Sequence, residues 1–347
     1  MKRCTARAWW LSTALAVLAL GLGHPAAAAS PQARRAKAKS AEASQTAGNA
    51  DTSAGEDASG DAAAGGKAVE PGKKYTYKLT GGEPQDLEVY FPGEWDPAKN
   101  RVPGVMMFHG GNWGHGDLSS FRYTCKYLAS RGLVAATANY KLRTAEQLKA
   151  LQAAKPGAVS AGESRKRVGI IDAKSAIRWM KQHAAELGVD PLRIIVGGGS
   201  AGGHLSVLST INASLNDPKD PQGIDMKVVA YLLFNPAFTP PGRELDTQVD
   251  VFPLLKPGLA PSIMFFGTED KKWKSAAEEL VKRIKANGDE TVMWTAAGER
   301  HSFYNQQPWC DLTLIEVDRF LVAHGLLKGP ATLSASATGG KLERAKP

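Results

Sequence analysis

Residues 193–205 read Arg-Ile-Ile-Val-Gly-Gly-Gly-Ser-Ala-Gly-Gly-His-Leu. A short apolar run enters, glycines surround Ser200, and an apolar-periodic helix leaves. A serine hydroxyl is a poor nucleophile unless the chain holds it exposed beside a base. A sharp strand-to-helix turn does that, and Gly198 and Gly202 permit the close backbone approach the turn requires. Residues 197–202 also satisfy the spacing G-x-G-x-x-G of a dinucleotide-binding loop. That site needs an acid about 20 residues further on, ending the next strand. Asp217 and Asp220 lie instead among prolines and polar residues, so the stretch is read as a nucleophile turn.

Working outward, residues 75–79, 87–91, 102–108, 133–138, 193–196, 228–234, 263–266 and 291–294 read as strands, several of them short apolar runs. Short continuous runs of this kind are buried on both faces, as in a mostly parallel sheet. Between them, Ile170, Ala173, Ile177, Met180, Ala184 and Leu187 form one helical stripe that stops at Gly188. Asp190-Pro191 is then expected to turn the chain towards the next strand, and 276–286 and 312–323 are further helices. The alternation predicts an α/β fold, a doubly wound, mostly parallel sheet of about eight strands flanked by helices. Two segments break the pattern. Residues 143–167 are polar with a short helical stretch at 145–153, and 239–261 are proline-rich; either shapes substrate access or simply connects elements.

The ends have a different composition. Lys2, Arg3 and Arg7 precede an apolar stretch at 9–22, and the small residues 26–29 offer a cleavage site. Residues 1–29 therefore read as a signal peptide, which predicts a secreted or periplasmic protein that meets the membrane only in transit. Residues 30–73 are rich in Ala, Ser and Gly, with six basic and six acidic residues, and read as a disordered linker. A folded domain is expected over 74–328 and a flexible tail over 329–347. The formal charge of +9 is carried largely by the leader and the tail. The remaining basic surface is mild and gives no case for nucleic acid as a partner. Only Cys125 and Cys310 lie beyond the leader; export permits a disulfide between them, and two buried thiols are the alternative.

A nucleophile needs a base, and the base needs an orienting acid. Phe265-Phe266-Gly267-Thr268-Glu269-Asp270 places two acids at the carboxyl end of a buried strand, where catalytic groups gather. Gly298-Glu299-Arg300-His301 follows the last predicted strand and precedes the last helix, so His301 belongs to the same rim. Ser200, Asp270, His301 is the chain order expected of this arrangement. The tetrahedral intermediate also needs donors. The loop His109-Gly110-Gly111-Asn112-Trp113 follows a strand, and the backbone N–H groups of Gly111, Asn112 and Ala201 are the candidate oxyanion hole. His109, Gly110 and Trp113 are candidates for the pocket lining, with Trp113 equally readable as a core ring.

At these four blocks the chain resembles the α/β-hydrolase superfamily. The flanking Asp172-Ala173-Lys174-Ser175-Ala176-Ile177-Arg178-Trp179 and the elbow through Leu205 look like its carboxylesterase branch, the hormone-sensitive-lipase-like and feruloyl or acetylxylan esterase-like enzymes. The resemblance covers residues 74–328 and favours Asp270 over Glu269 as the orienting acid. It departs at Asn112, where many members carry a third glycine; Asn accepts such dihedrals better than most residues. It implies a cofactor-free serine esterase acting on ester substrates, with acylated polysaccharides as one class. A peptidase or amidase of the same fold, and a non-catalytic carbohydrate-binding or surface protein, are the competing readings. His115 and His204 fall near the site, and His324 at a helix end. None has ligand spacing with another His or Cys, so no metal is expected.

Overall fold

The computed structural model describes residues 69–142, 165–335 and 339–345. The expected signal peptide, linker residues 30–68 and residues 143–164 of the first insertion, with its short helix, lie outside them.

A nine-stranded sheet forms the centre. In chain order its strands are β1 (Lys73–Thr80), β2 (Glu83–Tyr90), β3 (Val102–Phe108), β4 (Val134–Ala138), β5 (Val189–Gly199), β6 (Ala230–Phe234), β7 (Ser262–Gly267), β8 (Thr291–Ala296) and β9 (Leu342–Arg344). They lie side by side as β1-β2-β4-β3-β5-β6-β7-β8-β9. From β4 to β8 every pairing is parallel, and β1, β2 and β9 run antiparallel at the edges. Parallel strands need helical crossovers, and the crossovers cover both faces. Helices α1 (Arg122–Ser130) and α5 (Trp309–Ala323) pack Leu128, Leu314 and Val317 against one face. Helices α2 (Arg165–Gln182), α3 (Ala201–Ile211) and α4 (Lys271–Ala286) pack Ile177, Leu205 and Leu280 against the other. No helix among the described residues is long and apolar enough to cross a membrane.

Three local departures from the sequence reading have physical causes. The stripe that ends at Gly188 is split: α2 stops at Gln182, and a separate helical turn covers Ala184–Leu187. Asp190-Pro191 does not leave the sheet. β5 already pairs with β3 at Val189 and Asp190, then shifts register before Ile194. Pro191 has no N–H for the ladder, so it sits in the irregularity rather than ending the strand. Finally, residues 342–344, in a tail whose composition suggests no structure, add β9 by pairing Leu342 with Ala296 and Arg344 with Trp294. Cys125 and Cys310 are buried free thiols, not a disulfide. Burial pushes both thiols up, that of Cys310 to about 12, which keeps them protonated and unreactive.

Candidate active site

The elbow forms where β5 hands over to α3. Ser200 takes φ 47° and ψ −115°, outside the regions a non-glycine residue normally occupies. Such strain costs about 1–3 kcal/mol and persists only where the surroundings impose it. Here they do: Ser200 N–H donates to the Phe234 carbonyl at 2.8 Å, and the Ser200 carbonyl accepts from Ala237 N–H at 3.0 Å. α3 also runs so close to β3 that a Cβ on Gly202 would stand 1.9 Å from the Phe108 carbonyl oxygen. Only glycine fits there.

His301 lies on the loop between β8 and α5, as its sequence position suggests. Its Nε2 is 2.8 Å from Ser200 Oγ, and its Nδ1 is 2.7 Å from Asp270 Oδ2. An ionised carboxylate can only accept, so Nδ1 carries the proton and Nε2 presents its lone pair to the serine. Two cross-links hold this loop against the acid loop. Glu269 N–H donates to the Glu299 carbonyl at 2.9 Å, and Gly298 N–H to Thr268 Oγ1 at 2.8 Å.

The choice between the two acids is decided by burial. The Asp270 side chain is 4% exposed and faces His301, whereas Glu269 is 47% exposed and pairs with Lys271 at 3.1 Å. Asp270 occupies the N-cap position of α4, where aspartate usually bonds a free helix N–H, yet it makes no such bond. Its carboxylate is turned to the imidazole instead. It has a second partner that sequence reasoning missed. Asn235, just after β6, donates from Nδ2 to Asp270 Oδ2 at 2.7 Å. The visible signal was one polar residue ending a fully apolar strand, but Asn-Pro there reads as a turn.

The candidate oxyanion loop reverses sharply. Gly111, Asn112 and Trp113 have φ of 99°, 51° and 56° in succession. The Gly111 carbonyl accepts from Gly114 and His115 N–H at 2.9 and 3.0 Å. Asn112 therefore adopts the dihedral that its replacement of glycine demands. Its Oδ1 accepts from Arg165 Nη2 at 3.2 Å, which ties the loop to the start of α2. Ala201 opens α3, and N–H groups in a first helical turn have no partner within the helix.

His109, Gly110 and Trp113 are all buried. The His109 ring stacks on Tyr140 with centroids 4.3 Å apart, and Tyr140 Oη donates to the His109 carbonyl at 3.0 Å. Trp113 meets His204 edge-on at 5.1 Å, and His204 Nε2 donates to the Val249 carbonyl at 2.9 Å. Burial drives the imidazole of His109 down to about 4 and that of His204 to about 3, so both are neutral at pH 7. His115 is exposed, and His324 lies at the end of α5, 3.3 Å from Glu290. Among the described residues, no group of three or more His, Cys, Asp or Glu side chains is arranged to hold a metal ion.

The chain is similar to known esterases. Residues 87–234 match the BD-FAE family. Carboxylesterase NlhH of Mycobacterium tuberculosis is 31% identical over 116 residues, 33% of this chain and 31% of NlhH. The match thus spans about a third of that relative's length. Carboxylic ester hydrolase LipN of the same organism is 30% identical over 260 residues, 63% of this chain and 64% of LipN. Among solved structures, Thermogutta terrifontis esterase 2 phosphorylated by paraoxon superposes with a TM-score of 0.65 at 31% identity, covering 76% of this chain and 97% of that one. An identity of that size, sustained over nearly the whole of a solved esterase, makes this chain a member of the α/β-hydrolase carboxylesterases.

Proposed function

We propose that the protein is an exported serine esterase that hydrolyses carboxylic esters through an acyl-enzyme. The observation that carries this reading is one imidazole within hydrogen-bond reach of both Ser200 Oγ and the buried Asp270 carboxylate. Ser200 Oγ attacks the ester carbonyl while His301 Nε2 takes its proton. Asp270 holds the ring and stabilises the imidazolium that forms. The N–H groups of Gly111, Asn112 and Ala201 receive the negative oxygen, each such donor being worth about 3 kcal/mol in the transition state. His301 then protonates the departing alcohol, and water, deprotonated by the same nitrogen, releases the acid and restores Ser200.

The substrate class we assign is acyl groups carried on polysaccharides. The match to the BD-FAE family supports it. So does Trp273, a half-buried ring in the first turn of α4 whose centroid lies 6.5 Å from that of His301. The alcohol must approach His301 Nε2 to receive its proton, and an aromatic face close by gives a sugar or aryl group a surface to pack on. Export rests on the composition of residues 1–29.

A hydrolysis panel tests the reading: p-nitrophenyl acetate, butyrate and octanoate, acetylated xylan, a feruloyl ester, and matched amides. Ester hydrolysis without amide cleavage is expected, with Trp273→Ala raising KM for polysaccharide esters more than for p-nitrophenyl acetate. A folded protein inert to every ester overturns the assignment, and preferential amide cleavage replaces it with an amidase.

A further inference from the structure

Asn235 is an unusual residue to find where it is. It is fully buried, has φ 44°, and directly follows β6. Its backbone N–H donates to the Phe265 carbonyl at 2.9 Å, so the chain there is fixed between β6 and β7. Its Nδ2 donates to Asp270 Oδ2, the same oxygen that accepts the His301 Nδ1 proton. The amide orientation follows from chemistry: a carboxylate accepts only, so the nitrogen faces it. Asn235 Oδ1 is then left buried without a hydrogen-bond partner among the described residues. An unmade buried hydrogen bond is costly, and the positive φ alone would be met more cheaply by glycine. The side-chain amide therefore has a use beyond backbone geometry.

Its use follows from where Asp270 sits. At the N-cap of α4 this carboxylate has competing donors in the first free N–H groups of its own helix. A carboxylate that turned to cap the helix would release His301, and the imidazole would lose its tautomer and its aim at Ser200 Oγ. We propose that Asn235 is a positioning residue, whose amide holds Asp270 Oδ2 towards His301 and away from the helix terminus. The inference rests on the serine-esterase reading of the same site and adds a fourth member to it. Asn235 touches neither substrate nor the reacting atoms, and acts through Asp270.

The test is a double-mutant cycle on ester hydrolysis. Asn235→Gly suits φ 44° and removes the amide with its one methylene, so the variant is expected to fold. Its kcat should fall about 10- to 100-fold while KM stays within about twofold, because ground-state binding is untouched. In an Asp270→Asn background, the same Asn235→Gly change should cost little further activity, since the carboxylate it acts on is gone. A kcat for Asn235→Gly equal to that of the wild type overturns the inference and leaves the esterase reading intact. So does a loss of the same size in both backgrounds, which marks a role in folding alone. If Asn235→Gly unfolds, Asn235→Ser in the same cycle decides between the same outcomes. A wild type inert towards esters overturns both.

Discussion

Gly202 and Phe108 touch through their backbones: a methyl group on the Gly202 Cα would lie 1.9 Å from the Phe108 carbonyl oxygen. The contact presses the start of α3 onto the end of β3 and so sets where Ser200 stands. Because the obstacle is main chain, Gly202→Ala should cost about 3 kcal/mol and most of the esterase activity. Gly169→Ala, whose methyl meets a movable Leu205 Cδ2 at 3.0 Å, should be much milder. Thermal melts and kcat/KM on the two variants make the comparison; equal effects would contradict this view of the elbow.

Asn112 stands at φ 51° in the loop that is to receive the oxyanion. Asn112→Gly should retain activity within about tenfold, since glycine takes that dihedral freely and keeps the N–H. Asn112→Val should lose about 100-fold in kcat with little change in KM, because a β-branched residue resists positive φ and moves the donor. The kcat values of the two variants check it, and a Val variant as active as the Gly variant would remove Asn112 from the oxyanion hole.

Acid should destabilise the fold through His109 and His204. Burial holds their imidazoles at about 4 and about 3, against about 6.5 in the unfolded chain. Between those values the unfolded state binds protons that the folded state does not, so stability falls as pH falls below about 6.5. At pH 5 each ring contributes a loss of about 2 kcal/mol relative to pH 8. Melting curves from pH 8 to pH 5 should show a falling midpoint, and His204→Gln should flatten roughly half of that slope.

The parts of the fold that could be read in advance were those fixed by local chemistry. The runs ending at Phe108 and Phe266 carry no polar side chain because parallel strands are covered on both faces, and that pattern survives in one dimension. β9 leaves no such trace. Leu342-Glu343-Arg344 is a short, mostly polar edge strand that exists because β8 offers an open side. Asp190-Pro191 misleads for a related reason: a residue that cannot donate to the ladder was accommodated by a register shift rather than by a turn.

The site divides in the same way. Ser200 is announced by the glycines its backbone needs, and His301 by a loop with no apolar demand. Asp270 and Glu269 are adjacent and chemically equivalent in sequence; only the 4% and 47% exposures of their side chains separate them. Asn235 acts across a gap of 35 residues, and nothing near it in the chain indicates its partner. Trp113 was open between pocket wall and core ring because its burial depends on His204, which arrives from elsewhere.

The central claim is that Ser200 is a nucleophile activated by His301. Treating the folded wild type with paraoxon and mapping the product by peptide mass spectrometry tests it most directly. One diethylphosphoryl group on Ser200, with ester hydrolysis lost in proportion to labelling and both absent in Ser200→Ala, is the predicted result. Hydrolysis that persists in Ser200→Ala, or a folded wild type left unmodified at Ser200, would contradict it.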